Sequence, residues 1–438
     1  MLTAFVRAFQ TPDLRKKMLV TLGLIALFRF GAILPTPGIS EHNVTYCAGV
    51  ATQAGSSTAG LYQIVNLLSG NALLRLSVFS LGIMPYITAS IILQLLTVVI
   101  PRLETLKQEG QAGQAKITQY TRYLTVGLAI LQSTGYIELA RSGNLFPNCT
   151  VPLIPNTSVF TIATMVITMV SGTTVIMWMG ELITDRGVGN GMSVLIFTTV
   201  ISVIPGELGQ IYTDKGAFYE AVSIIVVIAI VAFVVFMEQA QRRIPVQYAK
   251  RMVGRRMYGG TSTYIPMKVN QAGVIPVIFA SSLLYIPVLA AQLFGNQSKP
   301  QGWYSWIERY VEQTNSAFYM IAFFVLIIGF TYFYVSITFN PVEVADNMKK
   351  YGGFIPGIRP GRPTAEYLSY VLSRLTAPGA VYLGVIALFP LVALSSIGVS
   401  NQFPFSGVSL LIMVGVGLDT VKQIESQLQQ RNYEGFLR

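Results

Sequence analysis

Residues 61–101 read LYQIVNLLSGNALLRLSVFSLGIMPYITASIILQLLTVVIP, and two kinds of chain meet inside them. From Leu61 to Leu74 the apolar residues include Leu61, Ile64, Val65, Leu68 and Leu73, the spacing of a one-sided helix. That helix is too short for a bilayer and is interrupted at Ser69-Gly70-Asn71. From Leu76 to Ile100 there is no Asp, Glu, Lys or Arg. At about 1.5 Å per residue this run is long enough to cross about 30 Å of hydrocarbon. Gly82 and Pro85 loosen it, and Ile83 and Ile87 stand one helical turn apart on one face. Two arrangements fit. One is an interfacial helix followed by an ordinary span. The other is a short re-entrant segment over a pore whose wall carries an aliphatic constriction, since irregular backbone at membrane depth is tolerated only inside protein or at a cavity.

The composition places the whole chain in a bilayer. Of 438 residues 52% are hydrophobic and 11% charged, against about 25% charged in soluble domains. The formal net charge of +11 calls for an explanation in acidic partners, acidic lipid or a bias of the cytoplasmic loops. His42, Cys47 and Cys149 are the whole supply of His and Cys, which removes most metal and thiol chemistry. The basic residues of the N-terminus precede a full-length span with no small-residue cleavage site, so the first span is expected to stay and to orient the chain.

Outward from residues 61–101, ten apolar segments are long enough, or nearly so, to cross. They run Met18–Pro35, Leu76–Ile100, Tyr120–Ala140, Val159–Gly180, Met192–Pro205, Ala221–Met237, Ala272–Phe294, Phe318–Phe339, Thr376–Leu394 and Phe405–Leu418. With ten spans the basic residues fall overwhelmingly on one side; the other side holds only Arg75, Arg141, Lys215, Lys299 and Arg309. Both termini are therefore expected in the cytoplasm. Arg29 is the clearest charge within a span. A charge at mid-membrane costs about 2.5–3.5 kcal/mol and marks ion or proton pathways; so few of them argue against an ion-coupled carrier, though not against a passive channel. Cys47 and Cys149 fall on the outer side. A disulfide between them is chemically possible, and two unpaired loop cysteines are the commoner arrangement.

The two long cytoplasmic loops differ from ordinary connections. Residues 239–271 contain QRRIPVQYAKRMVGRRMYGGTSTYIPMK, with Tyr248, Tyr258 and Tyr264 interleaved among basic residues. Residues 340–374 carry Gly352-Gly353, Pro356-Gly357 and Pro360-Gly361, so no helix is expected at the tip and Arg359 is presented on a stiff turn. Such surfaces suit ribosomal RNA or an acidic protein better than a mere topology signal. Gly187-Val188-Gly189-Asn190-Gly191 lacks the Lys-Ser/Thr of a phosphate loop and reads as a tight turn opening the fifth span. Neither a nucleophile–base pair nor a metal set is visible, so no catalytic residue, metal or cofactor is expected.

Seven stretches then match one family in order. LGIMPYITASIILQLLTVV at 81–99, QYTRYLTVGLAILQ at 119–132, GELITDRGVGNGMSVLIF at 180–197, RRIPVQYAKRMVGRRMYGG at 242–260, KVNQAGVIPVIFASS at 268–282, NPVEVADNMKKYGGFIPGIRPG at 340–361 and YEGFL at 433–437 closely resemble SecY. That family supplies the channel subunit of the bacterial protein translocase, in the cytoplasmic membrane. The resemblance implies an all-α polytopic membrane protein. Its ten transmembrane helices would form two inverted halves, about residues 1–205 and 206–438, closing like a clamshell on an hourglass pore, with a plug at about 61–74. It implies a pore ring of Ile83, Ile87, Met192, Ile196, Ile278 and Ile412. Met192 departs from the usual isoleucine, but a flexible thioether still fills space without hydrogen bonds. It implies a lateral gate between spans two and three and spans seven and eight. Thr88 and Gln132 stand at polar gate positions there, and Val274 stands where some relatives are polar. Arg255, Arg256, Arg359 and Tyr433 would engage SecA or the ribosome. SecE and SecG would be membrane partners, and precursors with signal sequences the cargo.

Overall fold

The computed structural model describes residues 9–53, 72, 75–141, 149, 151–248, 251–253, 256–258, 262–294, 302–307, 310–311, 316–397 and 407–434. The plug residues Leu61, Ile64, Val65, Leu68 and Leu73 lie outside them, as does Arg255.

Each expected span coincides with a helix. In order they are α1 (Pro12–Ile33), α3 (Met84–Val99), α5 (Gln111–Arg141), α6 (Val159–Arg186), α7 (Gly191–Lys215), α8 (Ala217–Gln239), α9 (Ile275–Phe294), α11 (Ala317–Thr338), α13 (Arg362–Ile397) and α14 (Gly407–Glu434). Short helices lie between them: α2 (Glu41–Gln53), α4 (Pro101–Gln108), α10 (Gly302–Ile307) and α12 (Pro341–Lys350). The protein is a polytopic, predominantly helical membrane protein. Among the described residues, α6, α8, α11, α13 and α14 are each long and apolar enough to cross on composition alone. The shorter or more polar spans rely on their neighbours.

Contacts run within each set of five successive spans and also between the two sets. In the first, α3 lies on α5, α5 on α6, α6 on α7, and α1 on α6 and α7. In the second, α9 lies on α11, α11 on α13, α13 on α14, and α8 on α14. The groups meet where α7 packs on α14 and α8, and again where α9 meets α3 and α5. Close approach needs glycine. A Cβ on Gly172 would strike the Val78 carbonyl, and one on Gly407 would strike the Ile386 carbonyl.

The second span departs from its expected form. Residues 75–83 are a chain of turns, not helix, with Leu76 at φ 47° and Gly82 at φ 55°. The stretch is stitched back to the end of α1: Thr36 N–H donates to the Leu76 carbonyl at 3.1 Å and Val78 N–H to the Leu34 carbonyl at 2.9 Å. Pro85 then sits at the start of α3, where a missing N–H costs nothing.

The loop cysteines also differ from the commoner expectation. Cys47 is on α2, fully buried, and bonded to Cys149, with Cα atoms 5.5 Å apart. The same surface is held by Ser40 N–H donating to the Leu153 carbonyl at 3.2 Å and Asn43 Nδ2 donating to the Pro152 carbonyl at 2.9 Å.

The chain is not wholly helical. Residues 241–268 form a hairpin, with β1 (Gln241–Tyr248) antiparallel to β4 (Ser262–Lys268), and β2 (Arg251–Val253) paired with β3 (Arg256–Tyr258) towards its tip. β5 (Gly353–Phe354), from the other long loop, adds to β1 in the order β4-β1-β5. Ile244, Val246 and Met267 face inward onto Val335, Met348, Ile355 and Leu368. Alternate strand residues turn to one face, so Arg243 is on the side away from Ile244 and Val246, its guanidinium 4.8 Å from the Tyr264 ring centre, while Arg242 is exposed nearer the start of the strand. The two long loops are therefore one body.

Candidate functional site

Four helices bring the six ring candidates into one hydrophobic cluster. Ile83 is the residue before α3, buried behind the turn in which Gly82 N–H donates to the Phe79 carbonyl at 2.9 Å. Ile87 N–H donates to the Ile83 carbonyl at 3.1 Å, placing the two one above the other. On α7, Met192 and Ile196 are four residues apart and share a face. The start of α7 is fixed by a relay in which Gly191 N–H donates to Thr184 Oγ1 and that hydroxyl donates to the Gly180 carbonyl, each at 2.9 Å. Asn190 caps the helix by accepting from Ser193 N–H at 3.4 Å. Ile278 comes from the first turn of α9, and Ile412 from α14. Ile83, Ile196, Ile278 and Ile412 are buried in the cluster, and Ile87 and Met192 pack half-buried against it. Met192 lies over Gly180, where a Cβ would come within 2.5 Å of its sulfur.

α3 and α7 belong to the first group of helices, and α9 and α14 to the second. The cluster thus draws on both sets of helices, and the six candidates are side chains that neither donate nor accept strong hydrogen bonds. Among the described residues no group of three His, Cys, Asp or Glu side chains is placed to hold a metal ion.

A polar cavity of about 420 Å³ opens beside this cluster, lined by Asn190, Ser193, Asp419, Thr420, Lys422 and Ser426. Asp419 is seven residues, about 10 Å of helix, beyond Ile412. It accepts from Lys268 Nζ at 3.4 Å, which ties α14 to the root of the hairpin.

The gate and docking candidates are placed less closely. Thr88 on α3 and Gln132 on α5 are half-buried on adjacent helices, and the Thr88 hydroxyl donates to its own helix at the Met84 carbonyl, 2.9 Å away. Val274, just ahead of α9, faces Gly415 of α14. Arg359 is exposed in the turn between β5 and α13, where Gly357 and Gly361 adopt φ 83° and 105°. The turn is pinned by Thr364 Oγ1 donating to the Arg359 carbonyl at 2.9 Å. Arg256 opens β3 near the hairpin tip, and Tyr433 lies in the last turn of α14.

Two polar links escaped the sequence reading. Arg122 on α5 donates through Nε and an Nη to both carboxylate oxygens of Glu181 on α6, each at 2.8 Å. Asn270 donates from Nδ2 to the buried carboxylate of Glu238 and to the Gly273 carbonyl, fixing the entry to α9. The partners of each pair are far apart in sequence, so spacing alone gave no signal.

The family model described as SecY matches residues 77–421. A curated relative from Streptomyces galbus, named protein translocase subunit SecY, is 64% identical, covering 100% of both chains. Among solved structures, "The structure of a protein conducting channel" aligns with TM-score 0.62 and 17% identity, covering 94% of this chain and 92% of that one. "Sec61 in the Canine ribosome-channel complex from the endoplasmic reticulum" aligns with TM-score 0.59 and 16% identity, again covering 94% and 92%. These last two likenesses bear on the fold; the first two, with the aliphatic cluster and the paired helix groups, place the chain in the SecY family of protein translocase subunits.

Proposed function

We propose that this chain is the conducting channel through which unfolded polypeptides cross the bacterial cytoplasmic membrane. What supports the reading is that Ile83, Ile196, Ile278 and Ile412, brought by four helices, are buried in one hydrophobic cluster against which Ile87 and Met192 pack. A narrow aliphatic ring dewets and so resists ions. It also offers an extended chain no hydrogen bond to hold, so passage does not depend on sequence. The halves are residues 1–205 and 206–438, and the segment at 61–74 acts as a plug. α7, α14 and α8 form the closed side, and separation of α9 from α3 and α5 is the lateral gate, bordered by Thr88 and Gln132, through which hydrophobic segments enter lipid.

The chain is not an enzyme, so the driving energy comes from a partner: SecA hydrolysing ATP, or a translating ribosome like the one bound to the Sec61 channel. The joined cytoplasmic loops, with Arg255, Arg256, Arg359 and Tyr433, are the docking surface. SecE and SecG are the membrane partners, and anionic lipid balances the basic loops on the side that holds both termini. The test is translocation of a secretory precursor into vesicles holding this chain with SecE and SecA. Precursor protected from protease only when ATP is present is the expected result. No protection with folded protein and competent partners would overturn the reading.

A further inference from the structure

We propose that the rings of Trp306, Tyr310 and Phe318, the first two lying in the chain between α9 and α11, are seated in the headgroup–acyl boundary of the bilayer. The three rings form one cluster. Trp306 lies 5.3 Å from Phe318 and 5.6 Å from Tyr310, and Tyr310 lies 6.1 Å from Phe318, centre to centre. They are 46%, 39% and 44% exposed, respectively, although each carries a large apolar ring.

That stretch of chain has two faces. Ile307 and Val311, four residues apart, turn into the central hydrophobic core. Trp306 and Tyr310, also four apart, turn away from it. A segment clamped to the core on one side and showing aromatic rings on the other needs an apolar medium on that other side.

The medium is lipid because the patch continues a lipid-facing stripe. α11 is 22 residues long and among the most apolar helices. Phe318, Ile321 and Val325 are exposed along one side of it, at spacings of three and four that make one face of a helix. Phe318 is in its first turn, so the ring cluster sits where this stripe leaves the hydrocarbon. Trp and Tyr favour that level because the ring lies in the apolar layer while the indole N–H or the hydroxyl reaches water and headgroups. Under the orientation set by the basic loops this is the outer leaflet. The inference goes beyond the channel reading and does not rest on it.

The test uses the full chain in phosphatidylcholine vesicles. The chain has three Trp, so a Trp178→Phe/Trp303→Phe variant reports on Trp306 alone. The expected result is loss of indole fluorescence with brominated lipids, larger for bromines near the headgroup than near the chain ends. Protection from aqueous iodide is expected with it. Quenching by iodide without quenching by bromine would place Trp306 in water. Protection from both would place it under a protein partner, and stronger quenching by deep bromines would place it in the hydrocarbon; each outcome overturns the proposal. A second probe covers misfolding of that variant. Both native cysteines are bridged, so a spin label on Tyr310→Cys reports alone, and collision with oxygen and a water-soluble nickel chelate to comparable extents is expected. Collision with the chelate alone would also refute the interfacial seat.

Discussion

Replacing Ile412 with Asn tests whether the aliphatic ring is an ion seal. Ile412 is 1% exposed and is buried in the same hydrophobic cluster as Ile83, Ile196 and Ile278, with Leu410 and Leu411 beside it in sequence. An amide there brings two donors and an acceptor that no side chain of the ring can satisfy. Burying such a group unpaired costs about 1–3 kcal/mol on protein mutational scales. Water entering the ring removes that cost, so hydration of the constriction is favoured by the same amount. With each 1.4 kcal/mol worth tenfold, the leak of small ions is expected to rise about 5- to 150-fold. The assay is potassium flux from vesicles carrying the channel with no precursor present. Ile386→Asn is the control, because Ile386 is buried in the same hydrophobic cluster but on α13, which carries none of the six ring candidates. Ile412→Val, which removes one methylene, is expected to lose about 0.5–1.5 kcal/mol of stability without leaking. Equal leakage from Ile412→Asn and Ile386→Asn, or from neither when both are folded, would refute the seal.

Other expectations concern parts further from the ring. Arg359→Glu is expected to abolish motor-driven export while assembly with SecE persists, read by precursor protection alongside co-purification; full export would remove the docking role. Reducing the Cys47–Cys149 bridge opens a loop of sequence separation 102. The chain-entropy model caps the loss at about 4.7 kcal/mol for a loop of that size, so a fall in the thermal midpoint under reductant is expected. An unchanged midpoint would mean that the hydrogen bonds around α2 suffice without the bridge. Gly191→Val drives a Cβ into the Gly180 carbonyl and must shift the start of α7, a cost of about 1–3 kcal/mol; decreased yield of folded protein and a raised ion leak are the readouts.

Much of the fold was visible because hydrocarbon is an exacting solvent. Ten apolar runs predicted ten helices, and the two groups of five follow from their order. What was hidden lies where water or neighbours set the geometry. α13 begins at Arg362, well before the expected Thr376, because its first turns mix exposed polar residues such as Arg362 and Glu366 with a few, Leu368 and Val371 among them, that pack on the hairpin rather than forming an apolar run. The β1–β4 hairpin rests on inward residues as few as Ile244, Val246 and Met267, set in a basic run that reads as loop. In residues 75–83 composition alone gave a helix. The actual turns depend on the hydrogen bonds back to Leu34 and Thr36, which no local pattern encodes. Within the site, the α3 pair Ile83 and Ile87 was legible as residues four apart, whereas Met192 and Ile196 on α7 were named only through the resemblance. Their meeting with Ile278 and Ile412 is a property of the tertiary fold, and only the family resemblance anticipated it. The polar cavity, built from the start of α7 and the middle of α14, had no signature in either segment.

The bond between Cys47 and Cys149 encloses α3, α4 and α5 in a single covalent loop. If α3 and α5 both cross the membrane, the two sulfurs return to one compartment, as they also do when neither crosses. Had one stalled during synthesis, one thiol would face a reducing solution and the other an oxidising one, and the bond would not close. Compact migration on a non-reducing gel therefore reports that α3 and α5 were not inserted one without the other. The disulfide is a chemical record of its own biogenesis.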